Sequence, residues 1–390
     1  MYCTFLLETI DNYTCTKKPS LATLNDYRPV ALTPVIMKCF EKLVLNFLNS
    51  LMPIDFDTCQ FAYRQNRSID DALSINVHEI LRHLETKKAY ARVLFIDYSS
   101  ALNTIIPQKL YDKLVFDLYF PINICNWIID FLLHRPQVVR IGDIVSSSII
   151  LNTGAPQGCP LSPKLYSIFT FDCQSKSHDS LVIKFADDTT VTGFINDNNE
   201  EEFRNQIDWV VAWCKRNNLL LNVDKTKEMV VDFRRGEDPS PPLSIDGEIV
   251  ERVESFKFLG TWVSNRITWD INSSHIISKA RQRLYFLRKL RSFQVSRDTL
   301  VNFYRCIIES TLTQCILVWF DRVSRADLNK LNAVVRSAEK IIGVKLTPLE
   351  LIYENRMLSK VNKILGEDTH PSRQYFEFLP HGRRLRAFWG

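Results

Sequence analysis

The stretch LVIKFADDTTVTGF, at residues 181–194, joins two strand-like runs through a pair of adjacent aspartates, Asp187 and Asp188. Both runs are apolar or β-branched, so the stretch predicts a β-hairpin with the two acids at its tip. A second run, VLFID at residues 93–97, is short, continuously apolar and ends in Asp97. This pattern is typical of a central strand that is buried on both faces.

If these strands are neighbours in one sheet, Asp97, Asp187 and Asp188 converge at one edge of it. Carboxylates about 5 Å apart repel by roughly 3 kcal/mol per pair at an effective dielectric near 20. A hard divalent cation with oxygen ligands, Mg²⁺ above all, relieves that repulsion. Two such ions can activate a 3′ hydroxyl and stabilise a leaving pyrophosphate. The alternative is that each aspartate is an ordinary surface turn residue.

Another Asp-Asp pair, Asp70–Asp71, follows Ser68 in the stretch SIDDAL. Here the pattern predicts a helix that Ser68 caps, with both acids in the first turn. The free backbone N–H groups and the positive end of the helix dipole stabilise acids at that position. No helix start is available to Asp187–Asp188, so the two pairs call for different explanations.

Composition excludes several classes of protein. The chain has 390 residues, 46% hydrophobic and 24% charged, which is an ordinary globular balance. No apolar run reaches the roughly 18 residues of a membrane helix, and the first residues lack the pattern of a signal peptide. The ten cysteines form no C-x-x-C pair, which argues against a zinc site. We therefore expect an intracellular protein with free thiols, no membrane association and no disulfide-linked partner.

Strands and helices alternate up to residue 263, and the chain beyond about Ser273 is helical to near Leu365. This order predicts the α+β class. Between Lys279 and Arg305 there are eight basic residues and one acidic residue. Such a local excess is the footprint expected for a polyanionic partner.

Five stretches occur in the order FIDYSSALNTI, GAPQGCPLSP, FADDTTV, LNVDKTKEMVVDFRR and FKFLGTWV. Together they resemble the successive palm motifs of reverse transcriptases. Their sequences are most similar to the motifs encoded by non-LTR (long interspersed element type) retrotransposons. NDYRPVALT and QFAYRQNRSIDDAL, nearer the start, resemble the finger motifs of the same enzymes. The resemblance covers about residues 18–390.

This resemblance implies a right-hand polymerase fold with fingers, a palm built on an antiparallel sheet, and a helical thumb. We expect partial fingers at residues 1–92, the palm with finger insertions at 93–263, and the thumb with a C-terminal helical region at 264–390. The implied activity is RNA-directed DNA polymerisation, with two Mg²⁺ ions that Mn²⁺ can replace. The implied partners are an RNA template, a DNA primer and dNTPs, in the nucleus and/or the cytoplasm.

The resemblance also assigns roles to single residues. Asp97, Asp187 and Asp188 are the implied catalytic metal ligands, and Lys225 is the implied proton donor to the departing pyrophosphate, although Lys227 could be mistaken for it. The implied contacts to the incoming nucleotide are Arg64, Arg67, Leu102, Gln157 and Gly158. The residues implied to grip the primer are Phe258, Leu259 and Gly260. Arg281 and Arg288 are the implied contacts to the nucleic-acid backbone. Solvated surface roles are the alternative for the arginines and lysines.

Two departures from the family pattern affect the interpretation. The fifth residue after the first aspartate is usually aromatic in these enzymes, but here it is Leu102, which predicts weaker discrimination against ribonucleotides. The chain also begins almost at the first finger motif, so we expect an N-terminally truncated copy. Two other hypotheses remain: an RNA-dependent RNA polymerase, and a catalytically silent remnant that binds nucleic acid.

Overall fold

The computed structural model describes residues 10–16, 27–141, 143–234, 236, 240–376 and 379. Up to residue 29 it describes the backbone alone.

A five-stranded sheet forms the centre of the molecule. Its middle strand is β3 (Ala89–Ile96), and the strands on both sides run antiparallel to β3. In sheet order the strands are β14 (Glu251–Arg252), β11 (Lys227–Val231), β3 (Ala89–Ile96), β9 (Asp188–Asn196) and β8 (Ser180–Phe185). Every residue of β3 is buried. The predicted central strand and the predicted hairpin β8–β9 are therefore both confirmed.

Alternate residues of β3 serve two separate hydrophobic cores, because successive side chains of a strand point to opposite faces. Leu94 and Ile96 belong to the core on one face, whereas Val93 and Phe95 belong to the core on the other. The helices that build the first core are α1 (Val35–Leu51), α3 (Pro107–Asp112), α4 (Ile122–Leu132), α5 (Ser162–Phe169) and α6 (Glu201–Arg216). A π-helical turn, Lys113–Asp117, extends α3.

Helix α2 (Ile69–His83) lies on the second face, in contact with β3, β8 and β9. Sequence analysis placed α2 within the 1–92 finger segment, yet it packs directly on the central sheet. The three proposed domain boundaries stay predictions.

A second sheet lies apart from the first and pairs segments distant in the chain. It consists of β1 (Ile10–Thr16), β2 (Tyr27–Leu32), β5 (Arg135–Ile141), β6 (Ile144–Val145) and β7 (Ile149–Leu151). The remaining strands of the described residues form three two-stranded ladders: β4 (Tyr98–Ser99) with β10 (Leu220–Leu221), β12 (Ser244–Ile245) with β13 (Glu248–Ile249), and β15 (Ser255–Phe258) with β16 (Thr261–Ser264).

The last third is helical, as predicted. Its helices are α7 (Asp270–Ser292), α8 (Arg297–Phe303), α9 (Ser310–Leu312), α10 (Ile316–Trp319), α11 (Arg325–Ile342) and α12 (Leu349–Leu365). A π-helical turn, Tyr304–Glu309, joins α8 to α9. The mixed α+β class is confirmed. Within the described part of the chain, no helix is both long and apolar enough to cross a bilayer.

The C-terminal part is tied back to α2 by buried polar contacts. Lys360 Nζ lies 2.5 Å from Asp71 Oδ2, and His370 Nε2 lies 3.4 Å from Asp71 Oδ1. The Tyr375 hydroxyl donates a hydrogen bond to Glu79. Asp71 also accepts from the backbone N–H of Ser68 at 2.8 Å, which completes the predicted cap of α2. The carboxylate of Asp71 thus caps its own helix and holds the last helix in place.

Candidate active site

The hairpin β8–β9 presents the two adjacent aspartates at its tip. Phe185 pairs with Asp188 across the ladder, so Ala186 and Asp187 are the two turn residues. Ala186 has a φ of 58°, in the left-handed region that disfavours residues with a Cβ atom. The tip of the hairpin therefore has a strained backbone directly before the two carboxylates.

Strand β3 brings Asp97 to the same edge of the sheet. Ile96 pairs with Thr189 in the antiparallel ladder between β3 and β9, and Asp97 follows immediately. Asp97 therefore lies beside Asp188. The predicted convergence of the acids is observed, but the strand that runs into Asp187, β8, is not the neighbour of β3, because β9 lies between them.

The carboxylates act on one another electrostatically. Loss of hydration, followed by the negative charges of Asp187 and Asp97, raises the pKa of Asp188 from 3.8 to about 6. Crowded oxygen ligands of this kind suit a hard divalent cation. However, no set of three Asp, Glu, His or Cys side chains in the described ranges is arranged to hold a metal ion. Asp97, Asp187 and Asp188 therefore offer the oxygen ligands that a divalent cation prefers, but the three carboxylates are not arranged around a single ion position.

A loop at residues 222–226 places Lys225 next to Asp97. The N–H of Asn222 donates to the carbonyl of Asp97 at 2.9 Å, and the N–H of Asp97 donates to Thr226 Oγ1 at 3.4 Å. Lys225 Nζ then lies 3.7 Å from Asp97 Oδ2. Lys227 instead pairs with Glu251 at 2.8 Å, away from the carboxylates. Of the two lysines that sequence analysis considered, the structure brings Lys225 into the site.

The hairpin β15–β16 closes the opposite side of a small cleft of about 90 Å³. Phe258 and Leu259 line this cleft together with Asp97, Asp188 and Lys225. The turn residues of the hairpin, Leu259 and Gly260, have φ angles of 48° and 86°. At Gly260 a Cβ atom would also collide with the side-chain amide of Gln314. The three residues predicted to grip the primer therefore form a tight turn at the carboxylates.

Leu102, Gln157 and Gly158 belong to two loops that pack together. Leu102 lies in a 3₁₀ turn, Ala101–Thr104, and its carbonyl accepts from Ala155 at 2.9 Å. Gln157 Nε2 donates to Asn103 Oδ1 at 3.3 Å.

Gly158 has a φ of 102°, and a Cβ atom there would lie 3.2 Å from the Ala31 carbonyl. Sequence analysis attributed this glycine to the approach of a nucleotide. Its backbone angle and the neighbouring strand β2 also require a glycine.

Arg64 and Arg67 make more contacts with the protein than surface arginines would. Arg64 Nη1 donates to the carbonyls of Phe56 and Asp57 at 2.5 and 2.6 Å. Burial, and next the charge of Arg64, lower the pKa of Arg67 to about 10. Both arginines are half-buried. Their loop reaches the hairpin tip, where the side chain of Gln60 contacts Ala186. Burial, followed by the charge of Asp187, raises the pKa of Tyr63 in the same loop.

Sequence analysis missed the residues that fasten this loop to β8. Lys184 Nζ pairs with Asp57 Oδ2 at 3.0 Å, and both side chains are almost fully buried. Gln60, also buried, contacts the backbone of Ala186 through its side-chain amide. The signal available was the charge of Lys184 inside an otherwise apolar strand, which requires a buried partner.

Helix α7 has the two stripes that sequence analysis predicts. Ile277, Ala280, Leu284 and Leu287 are buried. Arg281, Tyr285 and Arg288 are exposed on a neighbouring face. A row of exposed cations beside an aromatic ring is suited to contact a nucleic-acid backbone.

Comparison with known proteins identifies relatives. The family model for reverse transcriptase (RNA-dependent DNA polymerase) matches residues 16–263, which is more than half of the chain. A second model, for the N-terminal region of alkylated DNA repair protein alkB homolog 8, matches residues 269–310.

Two Drosophila melanogaster proteins are among the similar sequences. The probable RNA-directed DNA polymerase from transposon BS is 28% identical over 278 residues, 68% of this chain and 30% of that protein. The probable RNA-directed DNA polymerase from transposon X-element is 25% identical over 378 residues, 93% of this chain and 40% of that protein. The chain thus spans less than half the length of these curated relatives.

Among solved structures, telomerase from Candida tropicalis in complex with a fragment of telomeric RNA aligns with 92% of this chain and 64% of its own. The TM-score is 0.48 and the sequence identity is 11%.

Proposed function

Because the chain belongs to the reverse transcriptase (RNA-dependent DNA polymerase) family, we propose that it adds dNTPs to a primer 3′ hydroxyl as directed by an RNA template. The family match confirms the right-hand polymerase fold and the predicted kinship with non-LTR retrotransposons. The observation that carries the proposal is the convergence of the end of β3 and the tip of the hairpin β8–β9 at one edge of the central sheet.

The protein's own groups each have a part in this reaction. The carboxylates of Asp97, Asp187 and Asp188 form the anionic end of the cleft, and a cation held there would offset their repulsion of the reacting phosphate. Lys225, 3.7 Å from Asp97, donates a proton to the departing pyrophosphate. Phe258, Leu259 and Gly260 hold the primer end against the carboxylates.

The incoming nucleotide lies between the loop that carries Arg64 and Arg67 and the loop at residues 153–158. Arg64 and Arg67 contact its triphosphate, because a guanidinium group stays charged and pairs with two phosphate oxygens. Gln157 and Gly158 lie against the template–nucleotide pair, and Leu102 lies beneath the sugar.

The divalent metal typical of this family would be held by Asp97, Asp187 and Asp188, as two Mg²⁺ ions that Mn²⁺ can replace. When bound, such ions lower the pKa of an attacking hydroxyl and offset the negative charge of the phosphates. The loss of hydration, together with the neighbouring charges of Asp187 and Asp97, raises the pKa of Asp188, and a bound cation would offset both effects.

Arg281 and Arg288 of α7 contact the sugar-phosphate backbone of the template–primer duplex. This contact adds affinity that depends on salt and not on sequence. The partners we propose are therefore an RNA template, a DNA primer and dNTPs. For a chain of this family we further propose a place in the nucleus and/or the cytoplasm.

Primer extension tests the proposal. The purified chain is incubated with an RNA template, a DNA primer, dNTPs and Mg²⁺ or Mn²⁺, beside an Asp187→Ala variant. Template-directed extension by the wild-type chain alone is the expected result. If the wild-type chain binds the duplex but extends nothing with either metal, it is a silent nucleic-acid-binding remnant. Preferential incorporation of rNTPs would instead indicate an RNA polymerase.

A further inference from the structure

Gln60 makes an unusual pair of contacts with the hairpin tip from a position 126 residues away in the chain. Its Oε1 atom accepts a hydrogen bond from the N–H of Ala186 at 3.0 Å, and its Nε2 atom donates one to the carbonyl of Ala186 at 3.3 Å. One side-chain amide therefore binds both backbone polar groups of one turn residue. Gln60 itself has no exposed surface.

The loop that carries Gln60 is fixed on β8 in a single register. The N–H of Lys184 donates to the carbonyl of Cys59, and the N–H of Phe61 donates to the carbonyl of Lys184, each at 2.8 Å. The buried ion pair between Asp57 and Lys184 joins the same two segments. Gln60 thus stands on a rigid support, as a group that orients a neighbouring site must.

The residue that Gln60 binds is the strained one. Ala186 has a φ of 58°, and a residue with a Cβ atom stays in that region only where its surroundings hold it. The next two residues are Asp187 and Asp188, so the backbone angles of Ala186 set the direction in which both carboxylates leave the sheet.

We propose that Gln60 is a positioning residue whose side-chain amide holds the Ala186 turn, so that Asp187 and Asp188 are presented beside Asp97. The inference rests on the proposed function of these carboxylates. Glutamine suits the task because it offers one acceptor and one donor on a planar group. A leucine in its place has the volume but neither polar atom, and it leaves both polar groups of Ala186 without their partner.

Gln206 is a matched control at the other end of β8. It is 2% exposed, and its Oε1 atom accepts from the N–H of Lys176 at 2.8 Å, just before the strand begins. Gln206→Leu therefore removes a buried amide of α6 that contacts the start of the same strand, without touching the hairpin tip. The variants to compare are Gln60→Leu, Gln206→Leu, Ala186→Gly and the double variant Gln60→Leu/Ala186→Gly.

The first measurement is amide hydrogen exchange in a peptide covering residues 181–194, which requires no activity. Gln60→Leu is expected to speed exchange in this peptide, whereas Gln206→Leu, whose contacts lie at Lys176 and Ser180, is expected to leave it nearly unchanged. Unchanged exchange at the tip in Gln60→Leu overturns the inference, whatever the activity of the wild-type chain. If Gln60→Leu exchanges faster at the tip but the wild-type chain extends no primer, the clamp is supported and only the proposed function is refuted.

The second measurement is Mn²⁺ affinity with primer extension, both per mole of folded protein. Gln60→Leu is expected to weaken Mn²⁺ binding and to slow extension roughly tenfold, since the turn is no longer held in its strained geometry. Ala186→Gly in that background is expected to recover most of the loss, because glycine adopts a positive φ without strain. A purely structural role for Gln60 predicts no such rescue, so its absence contradicts the inference. If Gln60→Leu does not fold, Gln60→Glu, which keeps the acceptor, replaces it in both measurements.

Discussion

Lys225 faces Asp97 across the cleft, with its Nζ atom 3.7 Å from Asp97 Oδ2. Both side chains are substantially exposed, so this ion pair adds little to stability. Its interest lies in its location, because it places an ammonium group beside the carboxylates, as the proposed role of Lys225 as a proton donor requires. Lys227, two residues further, has its own partner in Glu251.

Replacement of Lys225 by alanine is expected to slow nucleotide addition by roughly a hundredfold, the scale of a lost general acid. The measurement is the single-turnover rate of one-nucleotide extension on a preformed template–primer complex. Binding of the duplex and the melting temperature should change little.

Lys227→Ala serves as the control for Lys225→Ala, since it removes the same charge two residues away. We expect it to retain nearly the wild-type rate. Equal losses in the two variants would show that the lysines act through general electrostatic attraction.

Asp188 gives a prediction on pH. Its folded-state pKa of about 6 exceeds the ordinary value of 3.8, so ionisation costs more in the folded state than in the unfolded one. This cost is absent below about pH 4, grows between pH 4 and 6, and is complete above pH 6. Without divalent metal, Asp188→Asn should therefore melt at a higher temperature than the wild-type chain at pH 7, but not at pH 4.

Asp179→Asn is the control for that experiment, since Asp179 is an exposed residue at the far end of the same hairpin. Its melting temperature should differ from wild type by a similar amount at every pH. A difference between Asp188→Asn and wild type that does not depend on pH would contradict the proposed crowding of carboxylates.

The side chain of Leu102 is expected to affect the preference of the chain for dNTPs over rNTPs. Its backbone holds Ala155, so the structural contact survives a change of side chain. Leu102→Phe should raise the preference for dNTPs over rNTPs roughly tenfold, because a larger ring obstructs a 2′ hydroxyl more completely. The measurement is the ratio of kcat/KM values for the two nucleotides, and equal ratios in both proteins would refute the role.

Arg281 and Arg288 lead to a prediction on salt dependence. Binding of template–primer by the double alanine variant should weaken for every sequence tested. The slope of log affinity against log salt should fall by about 2, since each lost phosphate contact removes close to one unit. Lys279→Ala, on another side of α7, is expected to keep the wild-type slope.

The parts of the fold that the sequence predicts are those whose signal is local. The apolar run before Asp97 and the two runs around Asp187 show strands without reference to the rest of the chain, and β3 and β9 are indeed neighbours. Gln60 gives no such signal, because a single glutamine in a loop has no periodicity. Its importance comes from contact with Ala186, and that contact exists only after folding.

Helix α1 shows the same limit in its packing. Five apolar residues at helical spacing predict a helix at about residues 34–50, and the helix forms, yet only one of them is buried, namely Val44 among Ile36, Phe40, Leu43, Val44 and Phe47. The buried face instead includes Glu41, whose Oε2 atom accepts from the N–H of Leu161 at 3.1 Å. Spacing along a helix predicts that it forms, but the neighbouring elements decide which face is covered.

The link between Asp71 and Lys360 joins residues 289 positions apart. At about 5–20 residues per second, a ribosome needs roughly 15 to 60 seconds to make the chain between them. During that interval the acidic start of α2 has been made without Lys360 and His370, which later contact Asp71. The native contact between α2 and α12 is therefore completed late in synthesis.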